Sequence, residues 1–131
     1  MLSAGGNHIH TLRDPTRGGL ATTLNEIALQ SGTTIRIWEA RVPVKDPVSG
    51  ICSLLGLDPF YLANEGKLIA VVAEEAADDV LRIMKDDLLG RAAAVIGEVM
   101  AEPRGKVTMV TRIGGERFLD MLTGDQLPRI C

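Results

Sequence analysis

Aromatic side chains are almost missing from this sequence: one Trp, one Tyr and two Phe. A core built by such a chain must be aliphatic, assembled from Leu, Ile, Val, Ala and Met. With 131 residues and 46% apolar content, one domain can bury about two-thirds of its unfolded surface without covalent staples. Cysteine is also scarce, at two residues, Cys52 and Cys131. That excludes a secreted disulfide scaffold, and with no CxxC pair it excludes a zinc site built on thiolates. A basic excess is lacking too. The net charge is −3 with acids and bases interspersed, which argues against a nucleic-acid-binding face. No apolar run approaches the ~20 residues needed to cross a bilayer. The opening MLSAGGNHIH has no basic-then-apolar targeting design. The expectation is a soluble, cytoplasmic protein without nucleic-acid or membrane partners.

The pattern of elements is mixed. Leu20, Leu24, Ile27, Ala28 and Ser31 recur at helical spacing, which predicts a helix over 16–31 ended by Gly32. TTIRIWEA alternates as a strand, with Ile35 and Ile37 on one face and Arg36 and Trp38 on the other. KDPVSGICSLLG predicts a short helix with Asp46 as N-cap, Pro47 as first helical residue, Gly56 as stop and Cys52 as a small core residue. DPF at 58–60 repeats the Asp-Pro start. KLIAVVA is a continuous apolar run and reads as a strand buried on both faces. EEAADDVLRIMKDDLLG predicts an acidic-started amphipathic helix with Ala76, Val80, Ile83 and Met84 inward. AAVIGEVM and KVTMVTRI read as strands separated by a loop at EPRG, and Gly114-Gly115 as a hairpin turn.

These alternations give an α+β class with a mixed sheet. Residues 1–122 are expected to form the domain and 123–131, with no periodicity, a flexible tail. The segment MLSAGGNHIHTLRD leads into the first helix without a strand or helix of its own. Residues 1–13 are expected to be a linker from a preceding domain.

Three stretches are candidates for chemistry. RDPTRGGLA, at 13–21, places Asp14, Thr16, Arg17, Gly18 and Gly19 at a helix start. A helix N-terminus offers unpaired N–H groups and partial positive charge, and Arg17 adds a full one. The glycine pair allows close approach of either another backbone or a phosphate. Asp14 is a candidate to cap the helix, orient Arg17 or face a magnesium ion. This is no P-loop, since no GK[ST] follows. NEGK, at 64–67, puts Glu65 and Lys67 at a strand mouth, where they suit either a general base beside a charge stabiliser or a solvated turn. His8 and His10 alternate, but no further ligands converge on them, so no metal site is expected and they read as surface or packing residues.

The third stretch is the end of the chain, PRIC. Cys131 is tethered on one side only and packing does not explain it. Gly124 to Cys131 spans at most about 25 Å when extended. Arg129 favours the thiolate of Cys131, and the terminal carboxylate opposes it.

RDPTRGGLA, LGLDPFYLANEGKL and the closing PRIC together resemble the C-terminal half of the HypE family of hydrogenase maturation proteins. That family lies within the AIR synthase (PurM-like) superfamily, and the resemblance runs from about His10 to Cys131. It implies a three-layer α/β/α sandwich with a mixed sheet, of the PurM C-terminal type. It also implies that Cys131 carries a carbamoyl group received from a HypF-like carbamoyltransferase. ATP then dehydrates that group to a thiocyanate, and the HypC–HypD complex accepts the cyano group onto iron.

ATP and Mg2+ would be bound mainly by an N-terminal domain, with Asp14, Thr16, Arg17, Gly18 and Gly19 near the phosphates and magnesium. Glu65 and Lys67 would line the dehydration site. A homodimer is implied for the full-length protein, and little activity for this part alone. Two other readings stand beside it. One is half of another PurM-superfamily synthetase or kinase acting on a small substrate. The other is a non-enzymatic docking module.

Overall fold

The protein was analysed as a computed structural model that describes residues 6–121. The predicted tail therefore lies outside the described residues. Chain order is β1 (Ile9–Arg13), α1 (Gly19–Ser31), β2 (Thr34–Trp38), α2 (Asp46–Leu55), β3 (Ile69–Val72), α3 (Ala77–Asp86), β4 (Gly97–Met100), β5 (Lys106–Val110) and β6 (Glu116–Phe118), linked by short 3-10 turns. The fold is the α+β arrangement with a mixed sheet that the sequence implied.

The main sheet runs β4-β2-β5-β6. Its centre is β2, which pairs antiparallel with β4 and parallel with β5. Alternation sets the two faces. Ile35 and Ile37 stand beside Val107 and Met109 in register, and all four join Ala21, Leu24, Ile27 and Ala28 of α1 in one buried cluster. Each fully buried Leu or Ile in this cluster contributes about 1.5–3 kcal/mol. The opposite face is polar at Arg36, whose guanidinium lies 3.7 Å from Glu98 on β4 and 3.2 Å from Glu116 on β6. The core is aliphatic with one aromatic, Phe60, as the composition required.

Several sequence expectations need correction. The opening segment is not featureless: β1 pairs antiparallel with β3 in a separate two-stranded sheet, with an irregularity between Ile9 and Thr11. Its partner lies some sixty residues away, so no local signal announces it. β3 is half-buried at every position rather than buried on both faces, because β1 is its only strand partner among the described residues. α1 begins at Gly19, three residues late, and Ser31 at its end is exposed. α2 begins at Asp46, with Lys45 in the N-cap position and no side-chain cap.

Other readings hold. Cys52 and Val80 are buried, with Ala76, Ile83 and Met84 half-buried. The Thr111–Gly115 turn leads into β6, with Thr111 N–H donating to the Gly115 carbonyl at 2.7 Å. No described helix is long and apolar enough to cross a membrane.

Candidate active site

The segment 13–19 is a tight turn between β1 and α1, shaped by two glycines. Gly18 has φ 72° and Gly19 φ 62°, backbone that residues with a Cβ adopt only at a cost. A Cβ on Gly19 would stand 2.5 Å from the Leu62 carbonyl oxygen and 2.7 Å from that of Phe60. A Cβ on Gly18 would collide with the Thr22 side chain. Of the two alternatives for this pair, close approach of another backbone is the one the structure uses at Gly19. The approaching strand of chain is the 3-10 turn Pro59–Tyr61 and the residues after it.

That turn is built by Asp58. One carboxylate oxygen accepts from Phe60 N–H at 3.0 Å, and the other accepts from Arg117 at 2.8 Å. The repeated Asp-Pro start therefore caps at Asp58 but not at Asp14, since α1 has Gly18 at its N-cap and no side-chain cap. Asn64 N–H donates to the Pro15 carbonyl at 3.0 Å. The loop 14–19 and the loop 60–64 are thus stitched backbone to backbone. This junction brings the first two candidate stretches together.

Within the junction the candidates differ. Asp14 and Arg17 are exposed, Thr16 is half-buried, and Gly18 and Gly19 are buried. Arg13 is committed to Glu26 of α1 at 2.5 Å, which leaves Arg17 as the accessible cation of the loop. Gly19 N–H donates to the Thr16 carbonyl and Thr22 N–H to the Gly18 carbonyl. The N–H groups of Leu20 and Ala21 have no intrahelical acceptor by helix geometry. Glu65 and Lys67 are exposed on the approach to β3, and neither joins an ion pair among the described residues. His8 lies 3.6 Å from Glu75 at the surface, and His10 is exposed. Cys131 lies outside the described residues.

The donor set can be tested against magnesium. No group of three or more His, Cys, Asp or Glu converges among the described residues, so there is no all-protein cage. Magnesium needs none: it is commonly held by one or two carboxylates together with substrate phosphates, and Asp14, on the loop that leads into α1, offers one exposed carboxylate. The residues fit a magnesium ion that arrives with a nucleotide.

Sequence reasoning missed three groups around this junction. Asn25, buried in α1, donates from Nδ2 to the Leu119 carbonyl at 2.6 Å and to the Ala21 carbonyl at 2.9 Å. Tyr61 donates its hydroxyl to the Asp120 carbonyl at 2.9 Å. Burial and the neighbouring Asp58 carboxylate push the Tyr61 pKa up, with Arg117 opposing, so the phenol remains a donor. Asp58 and Arg117 also line an open cleft of about 320 Å³ with Glu39, Ser49, Cys52 and Phe60. None of residues 14–19 or 64–67 lines it. An amide on the apolar face of a helix, between Leu24 and Ile27, is a signal that would have found Asn25.

Comparison with known proteins gives the family and the fold. Residues 1–110 match the family described as AIR synthase related protein, C-terminal domain. The chain is 56% identical over all its 131 residues to the carbamoyl dehydratase HypE of Bradyrhizobium diazoefficiens, and spans 38% of that relative's length. A HypE crystal structure in complex with ATP superposes with TM-score 0.90 at 51% identity, covering 99% of this chain and 40% of that one. A HypE–HypF complex superposes with TM-score 0.85 at 44% identity, covering 89% of this chain and 38% of that one. The chain belongs to the C-terminal domain family of AIR synthase related proteins, and its sequence and fold follow the HypE branch of it.

Proposed function

We propose that this chain is the part of a HypE-type carbamoyl dehydratase that bears the carrier thiol, Cys131. The observation that carries the reading is the 56% identity over all 131 residues with part of a carbamoyl dehydratase, together with the PRIC stretch that ends in Cys131. ATP use is supported by the similarity to HypE crystallised with ATP, and a HypF-type carbamoyltransferase partner by the similarity to the HypE–HypF complex. The HypC–HypD complex as cyano acceptor, a homodimer of the full-length protein and a cytoplasmic location belong to the same proposal.

The chemistry explains why a covalent arm is useful. A carbamoyl group on Cys131 is S–C(=O)–NH2. Hydroxide is a poor leaving group, so the carbonyl oxygen first attacks the γ-phosphorus of ATP, and the bond to ADP breaks. The nitrogen then loses its protons, the C–O bond breaks, and phosphate departs with the former carbonyl oxygen. The product is S–C≡N, and the elements of water have left as phosphate and protons without any redox change. Sulfur suits both ends of the cycle: as a thiolate it accepts the carbamoyl group, and it leaves again as a thiolate when an electron-rich iron acceptor donates the electron pair that bonds the cyano carbon.

Arg17 and the α1 N-terminus supply positive charge where phosphate charge develops. Asp14 would hold a magnesium ion that neutralises the phosphates. Thr16 lies on the same loop, and Gly18 and Gly19 shape it. Glu65 and Lys67, which follow Asn64, whose N–H bonds the Pro15 carbonyl of that loop, would take a proton and offset charge.

The test is mass spectrometry of the C-terminal peptide of the full-length protein. With carbamoyltransferase, carbamoyl phosphate and ATP, the Cys131 peptide should gain a carbamoyl group and then lose the mass of one water. Turnover that proceeds with an unmodified Cys131 peptide would instead favour a small-substrate synthetase.

A further inference from the structure

The stretch 63–67, between the 3-10 turn Pro59–Tyr61 and β3, carries Glu65 and Lys67 and belongs to no helix or strand. Among the described residues, Asn64 is the one member of this stretch that makes hydrogen bonds, and it makes two. Its backbone N–H donates to the Pro15 carbonyl at 3.0 Å, and its side-chain Nδ2 donates to the Leu62 carbonyl at 2.8 Å. The side-chain partner is a carbonyl oxygen, so the amide must present its nitrogen there, and an ionised aspartate in its place has no donor to offer. The Leu62 carbonyl is also the oxygen that stands 2.5 Å from where a Cβ on Gly19 would lie. Asn64 therefore grips the junction twice, once through the oxygen packed on Gly19 and once through Pro15. On the far side of Glu65, Gly66 has φ 69° and nothing within 4 Å of a Cβ. Glu65 is thus held from the Asn64 side.

We propose that Asn64 is a positioning residue for the proton-taking step: its side chain fixes the turn at 62–64 and so sets Glu65 against the 14–19 loop. This rests on the reading of Glu65 as the base and of 14–19 as the phosphate loop. The reaction needs both at one substrate. As phosphate leaves with the C–O electron pair, the electron pair of an N–H bond enters the new triple bond, and the proton passes to the Glu65 carboxylate. The departing phosphate and the nitrogen are attached to the same carbon, so the two protein segments must keep a fixed spacing. A group misplaced by about 1 Å can cost on the order of 10²-fold in rate. The one hydrogen bond between the 63–67 stretch and the loop starts from the residue next to Glu65.

The test uses full-length, carbamoylated protein with Asn64→Asp, which keeps the shape and loses the donor, and with Asn64→Ala as a second variant. Rapid-quench mass analysis of the Cys131 peptide gives single-turnover dehydration rates over a range of ATP concentrations. Each variant is measured alone and combined with Glu65→Gln. The maximal rate should fall by about 10-fold or more, with the half-saturating ATP concentration unchanged. That loss should vanish in the Glu65→Gln background, because a residue acting through Glu65 then has nothing left to position. An undiminished maximal rate in both variants overturns the proposal. An equal fold-loss in the Glu65→Gln background also overturns it, since that marks a role independent of Glu65. So does a raised half-saturating ATP concentration at full maximal rate, which marks a role in nucleotide binding. Failure of the underlying reading is separately visible, as wild-type dehydration by Glu65→Gln protein, and the proposal falls with it.

Discussion

Asn25 Nδ2 stands 2.6 Å from the carbonyl oxygen of Leu119, ninety-four residues further along the chain. Both residues are buried, so neither partner has water in reserve. Asn25→Ala leaves the Leu119 carbonyl without its side-chain donor in a dry site, which costs about 1–3 kcal/mol. Urea denaturation of the 131-residue chain should show the midpoint falling with the slope unchanged. An unaltered midpoint means that the carbonyl finds another donor.

The two helix-flanking glycines, Gly19 and Gly32, have nearly equal φ values of 62° and 65° but different surroundings. Nothing lies within 4 Å of a Cβ on Gly32, whereas a Cβ on Gly19 meets two carbonyl oxygens below 3 Å. Gly32→Ala should cost about 1–2 kcal/mol from left-handed backbone alone. Gly19→Ala should cost that and a further ~1–3 kcal/mol of overpacking against the 60–62 turn. Equal losses in the two variants would place the Phe60 and Leu62 carbonyls farther from Gly19 than described.

These two contrasts mark how much was legible beforehand. The Ile35/Ile37 alternation and the 3.6-residue rhythm of Leu24, Ile27 and Ala28 announce their own structure, because each depends on neighbours in sequence. The Asp-Pro starts at 14 and 58 look alike as letters, yet only Asp58 caps, because Arg117 and the Phe60 N–H meet it there. β1 and the half-exposed state of β3 depend on a pairing between distant segments, which local periodicity does not carry. The candidate residues at 14–19 stand out by glycine and charge, but their contact with 60–64 does not. Asn25 and Tyr61 escaped because their partners are backbone carbonyls, which any sequence supplies.

Tyr61 is the sole tyrosine, so tyrosinate absorbance reports on it alone. Its pKa is raised above 10.0 by burial and then by Asp58, while Arg117 lowers it. Arg117→Gln should therefore raise it further. Because the folded value exceeds the unfolded one, the stability tied to this phenol is fully present below the unfolded pKa and is lost as pH climbs through the folded value. A spectrophotometric titration giving a lower pKa in Arg117→Gln would contradict the charge assignment around Tyr61.

Arg17→Gln and Asp14→Asn probe the proposed phosphate role of the 14–19 loop. Each side chain is exposed, so folding should survive both changes. In the full-length protein, removing the Arg17 charge that would meet developing phosphate charge, or the Asp14 carboxylate that would hold magnesium, should slow ATP-dependent dehydration by about 10²-fold, with carbamoyl loading unaffected. Single-turnover rates at saturating ATP check this. Undiminished dehydration in both variants would leave the loop a structural junction only.

Infrared spectra of the iron centre matured by full-length protein carrying Cys131→Ser test the carrier thiol most directly. The hydroxyl keeps the shape of the terminus and removes the sulfur. The predicted spectrum lacks the cyanide bands while the protein remains folded and hydrolysis-competent partners are present. Cyanide bands of normal intensity and rate from the Cys131→Ser protein would contradict the carrier role outright.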